Sequence, residues 1–213
     1  MAFRDRADAG RRLAALLGDL AGEGTVVLGV PRGGVPVAAE VARALGAPLD
    51  VAVVRKIGAP IQPELAIGAV AEGGVALVDR GAAARVGVSP AELERLVAAR
   101  RAEVEARVRA LRGDAPPPDL RGATVVIVDD GLATGLSDLA AVASARERGA
   151  ARVVVAAPVG SEQAVAMLAA EAGDCVCAVV PRRFGSVGRW YLDFGAVSDD
   201  EVRALLADRG GAA

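Results

Sequence analysis

Four consecutive β-branched residues, Val125-Val126-Ile127-Val128, run directly into two carboxylates, Asp129 and Asp130. A strand with one wet face alternates apolar and polar residues. An unbroken apolar run must be covered on both sides, which is the environment of a central strand in a parallel sheet. After the acids come Gly131-Leu132-Ala133-Thr134-Gly135-Leu136-Ser137-Asp138 and then the apolar-periodic stretch Leu139 to Ala145, so the segment reads as strand, loop, helix. The N–H groups and hydroxyls of such a loop, at a helix start, form a seat for a phosphate. Asp129 and Asp130 would stand about a sugar's width from it, where carboxylates suit the two hydroxyls of a ribose. Acid pairs at strand ends also occur in receiver-type sites, in Mg²⁺ sites and as solvated loop residues, and a Gly/Thr/Ser turn before a helix is often only a cap. A P-loop is excluded, because no Gly-Lys-Ser/Thr closes the loop.

The rest of the chain repeats the strand–helix alternation. Thr25 to Val30 reads as a buried strand. It runs into Pro31-Arg32-Gly33-Gly34, and a helix follows from Val35-Pro36 to Leu45, closed by Gly46. Leu49 to Val54 reads as a second strand. Arg55 to Leu65, with two prolines and a glycine and no periodicity, reads as a long loop of the kind that closes over a substrate. Ala66–Ala71 and Val75–Val78 read as a hairpin beside it, with Glu64 and Glu72 as solvated carboxylates. Ser89-Pro90-Ala91-Glu92 starts a helix that runs to about Leu111, and Ser198-Asp199-Asp200-Glu201 starts another. Further strands at Ala151–Ala157 and Asp174–Val180 complete the pattern. It implies an α/β fold, a doubly wound parallel sheet of about five strands with helices on both faces. Ligands of such sheets sit at the carboxyl ends of the strands, where the strand order switches. The loops at 31–34 and 129–137 both leave such ends.

Composition limits the chemistry. The 213 residues are 53% apolar and carry a net charge of −2, ample for a core and no footprint for nucleic acid. No apolar run reaches membrane-spanning length and the start does not read as a signal peptide, so a cytoplasmic protein is expected. The absence of histidine removes His-based triads and His metal sites. Cys175 and Cys177 read as buried core thiols. Among 25 basic residues Lys56 is the only lysine, which points to a site where a guanidinium cannot substitute. Trp190 and Tyr191, the only Trp and Tyr, lie together in the tail. They either stack on a planar base or pin the C-terminal segment to the core.

The stretch from Val125 to Ser137 resembles the 5-phosphoribosyl-1-pyrophosphate (PRPP) fingerprint of the type I phosphoribosyltransferases: apolar strand, two acids, two variable residues, then Thr-Gly and a hydroxyl residue. The resemblance implies one phosphoribosyltransferase-like domain over 1–213. Residues 1–24 and 181–213 would form flanking hood segments, and 85–118 a helical insertion. It implies that PRPP places its 5-phosphate on Ala133, Thr134, Gly135, Leu136 and Ser137, and its ribose hydroxyls on Asp129 and Asp130. The pyrophosphate would rest on Arg32, Gly33 and Gly34, in a loop that in this family often holds a cis non-proline peptide bond. Lys56 would contact the pyrophosphate as it leaves, with Arg55 a second candidate. Mg²⁺ would bridge sugar and pyrophosphate oxygens, with Asp129 and Asp130 the protein groups that can reach it. The acceptor would be a nitrogenous base, beside Trp190 and Tyr191. Enzymes for 6-oxopurines carry an Asp where this chain has Ala133, which argues against a hypoxanthine–guanine acceptor. A homodimer is common in the family. A PRPP- or nucleotide-binding regulator without turnover is the alternative on the same scaffold, and a sugar-phosphate hydrolase a weaker third.

Overall fold

The computed structural model describes residues 2–22 and 24–208. In chain order its strands are β1 (Thr25–Gly29), β2 (Leu49–Val51), β3 (Val54–Gly58), β4 (Ala66–Ala71), β5 (Ala76–Val78), β6 (Thr124–Val128), β7 (Arg152–Val159) and β8 (Asp174–Val179). The helices are α1 (Arg6–Ala14), α2 (Gly34–Leu45), α3 (Arg80–Arg85), α4 (Pro90–Arg112), α5 (Leu136–Glu147), α6 (Glu162–Ala172) and α7 (Asp199–Ala207). Five strands form a parallel sheet in the order β2-β1-β6-β7-β8, and β3-β4-β5 form a separate antiparallel sheet.

The apolar run Val125–Val128 is the middle strand, and each of its side chains is wholly buried. Successive residues of a strand point to opposite faces. Val126 and Val128 accordingly pack with Val27, Val154 and the apolar sides of α1 and α2. Val125 and Ile127 pack on the other face with Leu28, Val155 and the small residues of α5 and α6. The doubly wound sheet expected from the sequence is thus the architecture observed.

The strand expected over 49–54 is split. β2 ends at Val51, and from Val54 the chain joins the second sheet, where Lys56 pairs with Ala69 of β4. Lys56 therefore stands on a strand and not at the root of a loop, and the irregular connection shortens to 59–65. Two adjacent charged residues hide the alternation that Val54 and Ile57 carry. Helix α3 has no counterpart in the sequence reading.

Glu72, read as solvated, is the pin of the second sheet. Arg112, at the end of α4, donates to Glu72 at 2.6 and 2.9 Å and to Asp50 of β2 at 3.1 Å. The Glu72 N–H donates to the Val53 carbonyl, and its own carbonyl accepts from the Ser144 hydroxyl of α5 at 2.6 Å. Helix α4, the parallel sheet and the hairpin are joined at one buried charge cluster. Truncating one partner of such a cluster leaves the others charged and dry. Arg112→Ala is therefore expected to cost about 3–5 kcal/mol in a urea titration followed by circular dichroism. Arg121→Ala, on a fully exposed pair with Asp119, is expected to leave the midpoint where it was.

Candidate active site

Between β1 and β6 the strand order switches, since β1 is followed by β2 on one side and β6 by β7 on the other. The loops that leave these two strands meet there. The Val30 N–H donates to the Val128 carbonyl at 2.8 Å, continuing the ladder past the end of β1. A Cβ placed on Gly33 would lie 1.9 Å from Oδ2 of Asp130, and one on Gly34 would lie 2.5 Å from the Val128 carbonyl oxygen. At Gly34 only glycine lets the two backbones come this close, and at Gly33 a side chain would displace the Asp130 carboxylate. The Pro31–Arg32 peptide is cis. The Gly34 N–H is taken by the Val30 carbonyl at 2.9 Å, whereas among the described residues nothing accepts from the N–H groups of Arg32 and Gly33. Gly34 thus contributes room, and its two predecessors contribute donors.

The second loop is strapped from below. The Leu132 N–H donates to the Val159 carbonyl, the Ser161 N–H to the Leu132 carbonyl, and the Ser161 hydroxyl to the Ala133 carbonyl. Gly135 takes φ +73° and turns the chain into α5. Among the described residues no group accepts from the N–H groups of Ala133, Thr134, Gly135, Leu136 and Ser137, while Ala133 and Thr134 are exposed. A cup of free amides at a helix start is a seat for an anion.

The acids stand beside this cup. Arg6 of α1 donates through Nε at 2.9 Å to Oδ2 of Asp130, and its Nη2 lies 2.9 Å from the same oxygen. The Arg6 Nη1 donates to the Gly195 carbonyl, and its guanidinium lies 4.0 Å over the Phe194 ring. Burial raises Asp130 above the ordinary carboxylate range against the pull of Arg6. Oδ1 of Asp129 accepts from the Asp130 N–H at 2.8 Å. Burial, with the charges of Asp138 and Asp130, raises Asp129 well above its usual range; the Asp130 N–H and Lys56 pull the other way. Asp138, in the first turn of α5, is 3% exposed. Burial pushes it up to about 7, against its own backbone N–H and Lys56.

Lys56 and Arg55 leave β3 on opposite sides. Val54, on the Lys56 side, packs with α5, whereas Ile57, on the Arg55 side, packs in the cluster that contains α4. Arg55 accordingly feels the charges of Arg107, Glu103 and Arg100 on α4. Arg32 is exposed and lies 3.7 Å from Asp199, which Arg107 holds through two hydrogen bonds.

Tyr191 is 3% exposed, stacked between Phe3 and Phe194 at 5.5 and 5.0 Å. Its hydroxyl donates to the Asp130 carbonyl at 2.6 Å. The Trp190 indole N–H donates to the Phe184 carbonyl at 3.0 Å, and the Trp190 carbonyl accepts from Ala2 and Phe3. Both rings thereby bind the two ends of the chain to each other and to the acid loop, and Val187 closes over Gly131. Cys175 and Cys177 are free and half-buried, with burial pushing both thiols up to about 11.

Arg6 and Asp138 were not singled out from sequence. Arg6 is one arginine among many, and only the tertiary structure brings it to residue 130. Asp138 left a fainter signal, a carboxylate inside an otherwise apolar stretch. Among the described residues no three His, Cys, Asp or Glu side chains group as a metal site, and no helix is long and apolar enough to cross a membrane.

A family model described as phosphoribosyl transferase domain matches residues 4–178. Two Mycobacterium tuberculosis proteins, from strains CDC 1551 and H37Rv and named provisionally as phosphoribosyl transferases, are each 46% identical over 204 residues, 96% of this chain. The chain spans 46% of the length of these relatives. The crystal structure of TT1426 from Thermus thermophilus is 48% identical, with a TM-score of 0.86 over 99% of this chain and 100% of that one. The AQ2163 protein from Aquifex aeolicus shares the fold at 13% identity, with a TM-score of 0.52 over 86% and 78% of the two chains.

The raised carboxylates set a direction for stability. Asp129 and Asp138 hold protons in the folded state at a pH where the unfolded chain has released them, so stability falls as pH rises from the ordinary carboxylate range through about 7. The urea midpoint is expected to drop between about pH 5 and pH 8, and Asp138→Asn, which cannot titrate, to shrink that drop.

Proposed function

Because the chain belongs to the phosphoribosyl transferase family, we propose that it transfers ribose 5-phosphate from PRPP to a nitrogenous base and releases pyrophosphate. The observation that carries this reading is the approach of Gly33 to Asp130, which brings the glycine loop after β1 and the acid pair after β6 together at one rim of the sheet. The 5-phosphate takes the free amides of Ala133 to Ser137, with the hydroxyls of Thr134 and Ser137 beside them. The ribose hydroxyls donate to Asp129 and Asp130, the latter held in place by Arg6. The pyrophosphate lies against the Arg32 and Gly33 amides, with Lys56 across from it. The acceptor base enters beside the turn at 187–190, where Trp190 is half-buried. Tyr191 acts there by fixing the Asp130 backbone.

Cleavage of the C1–O bond builds negative charge on the departing pyrophosphate and positive charge on the sugar. The chain's part is to hold the two ends of PRPP in place and stabilise what departs. Magnesium characteristically takes one or two carboxylates and completes its shell with substrate phosphate oxygens and water. Asp129 and Asp130 would be those carboxylates, with Oδ2 of Asp130 already held by Arg6. When bound, the ion would neutralise charge on the pyrophosphate.

Calorimetry with PRPP and Mg²⁺, followed by a panel of bases scored for pyrophosphate release, tests the reading. Turnover is expected to fall by ~10²–10³ in Lys56→Ala, and further when Asp129→Asn and Asp130→Asn are combined. PRPP binding without release for any base would favour a regulator, and release without a base a hydrolase. Unchanged turnover in these variants would remove the assignment of the residues.

A further inference from the structure

Asp138 has no part in the reading above, yet its surroundings are unusual. Its Oδ1 is buried and has no hydrogen-bond partner among the described residues. On α5 it shares a stripe with Ala141 and Ala145. Those two pack in one buried cluster with Val54 of β3 and with Ala69 and Ala71 of β4. Lys56, two residues along β3 from Val54, leaves the strand on that same side. It is exposed, and among the described residues it makes no ion pair or hydrogen bond. Carboxylate and ammonium thus lie on the facing sides of α5 and β3, near enough for the charge of Lys56 to act on Asp138.

A buried carboxylate without a partner is costly, and an asparagine of the same shape would have no charge to desolvate. The residue type calls for a cation that arrives. The single lysine among 25 basic residues suits that part. An ammonium is compact, has three donors and rides on a flexible stem, so it can meet a carboxylate and a phosphate oxygen together. A guanidinium fork would settle with both prongs on the carboxylate.

We propose that Asp138 is a positioning residue, an internal counter-ion that holds the Lys56 ammonium against the pyrophosphate of bound PRPP without touching the substrate itself. The proposal rests on the phosphoribosyl-transfer reading. It adds a named partner for the lysine and a reason why that position is not an arginine.

Calorimetry on the full chain with Mg²⁺ and PRPP compares the wild type, Asp138→Asn, Lys56→Met and the double variant. Asp138→Asn is expected to weaken PRPP binding by roughly ten- to hundredfold, as for a lost hydrogen bond to a charged group, while its thermal midpoint near pH 8 stays equal or rises. The double variant should bind no more weakly than Lys56→Met alone. Inorganic pyrophosphate should repeat the pattern, and ribose 5-phosphate should bind all variants alike. Lys56→Arg, which changes no buried group, is expected to lose PRPP affinity as Asp138→Asn does. Wild-type affinity in Asp138→Asn or Lys56→Arg, or additive losses in the double variant, would overturn the proposal. So would a fall in thermal midpoint with equal weakening of ribose 5-phosphate, the mark of a merely structural role. A wild type that binds neither PRPP nor pyrophosphate would sink the transfer reading and the proposal together. A wild type that binds both, beside an unaffected Asp138→Asn, would sink the proposal alone.

Discussion

The close approach of two backbones at the rim of the sheet governs the site. β1 and β6 are neighbours in parallel register, from Thr25 beside Thr124 to Gly29 beside Val128. Their pairing carries both loops out at the same height. Gly33 and Gly34 then let the first loop lie directly on Asp129 and Asp130. A side chain at Gly34 would push the two backbones apart, and one at Gly33 would drive the Asp130 carboxylate from its place beside Arg6. The pairing in turn depends on the apolar run of β6, which is stable only with a helical layer on each face.

Around that contact the chain collects carboxylates that range from half-buried, at Asp129 and Asp130, to buried, at Asp138. Asp130 is held by Arg6, Asp129 by the adjoining N–H, and the buried Oδ1 of Asp138 by no hydrogen bond among the described residues. Such a concentration of buried carboxylates is a poor arrangement for stability, and perturbed carboxylates of this kind gather at functional sites. The stabilising charge clusters lie elsewhere. Arg112 with Asp50 and Glu72 ties the antiparallel sheet, whose first strand bears Lys56, to the parallel one. The two ends of the chain are stitched through Phe3, Trp190 and Tyr191, and Arg6 extends the stitching to the acid loop. Scaffold and site thus use the same residue types to opposite ends: paired in one, left open in the other.

Some of this was legible in advance. The run Val125–Val128, the acids after it and the Thr-Gly turn report a buried strand, a rim and a loop of unpaired amides, because each is a local property of a few adjacent residues. The alternation of such units reports the doubly wound sheet. The boundary at Val51 was not legible, since Arg55 and Lys56 interrupt the apolar pattern and β3 exists only by pairing with a strand that follows it. The ion cluster at Glu72 was missed because its partners come from positions 50, 112 and 148, with nothing local to mark them.

The sequence by itself determined what each segment could become: strand, helix, glycine turn or free-amide loop, and which residues bring charge or a hydroxyl to it. Tertiary structure decided what those groups meet. Arg6 reaches residue 130, Tyr191 turns inward to the Asp130 carbonyl, and Lys56 of the second sheet comes near enough to Asp138 of α5 for its charge to act there. Hydrophobic periodicity and turn chemistry act over a few residues, so they can be read in a line. Encounters between charges depend on distances that only the packed layers set.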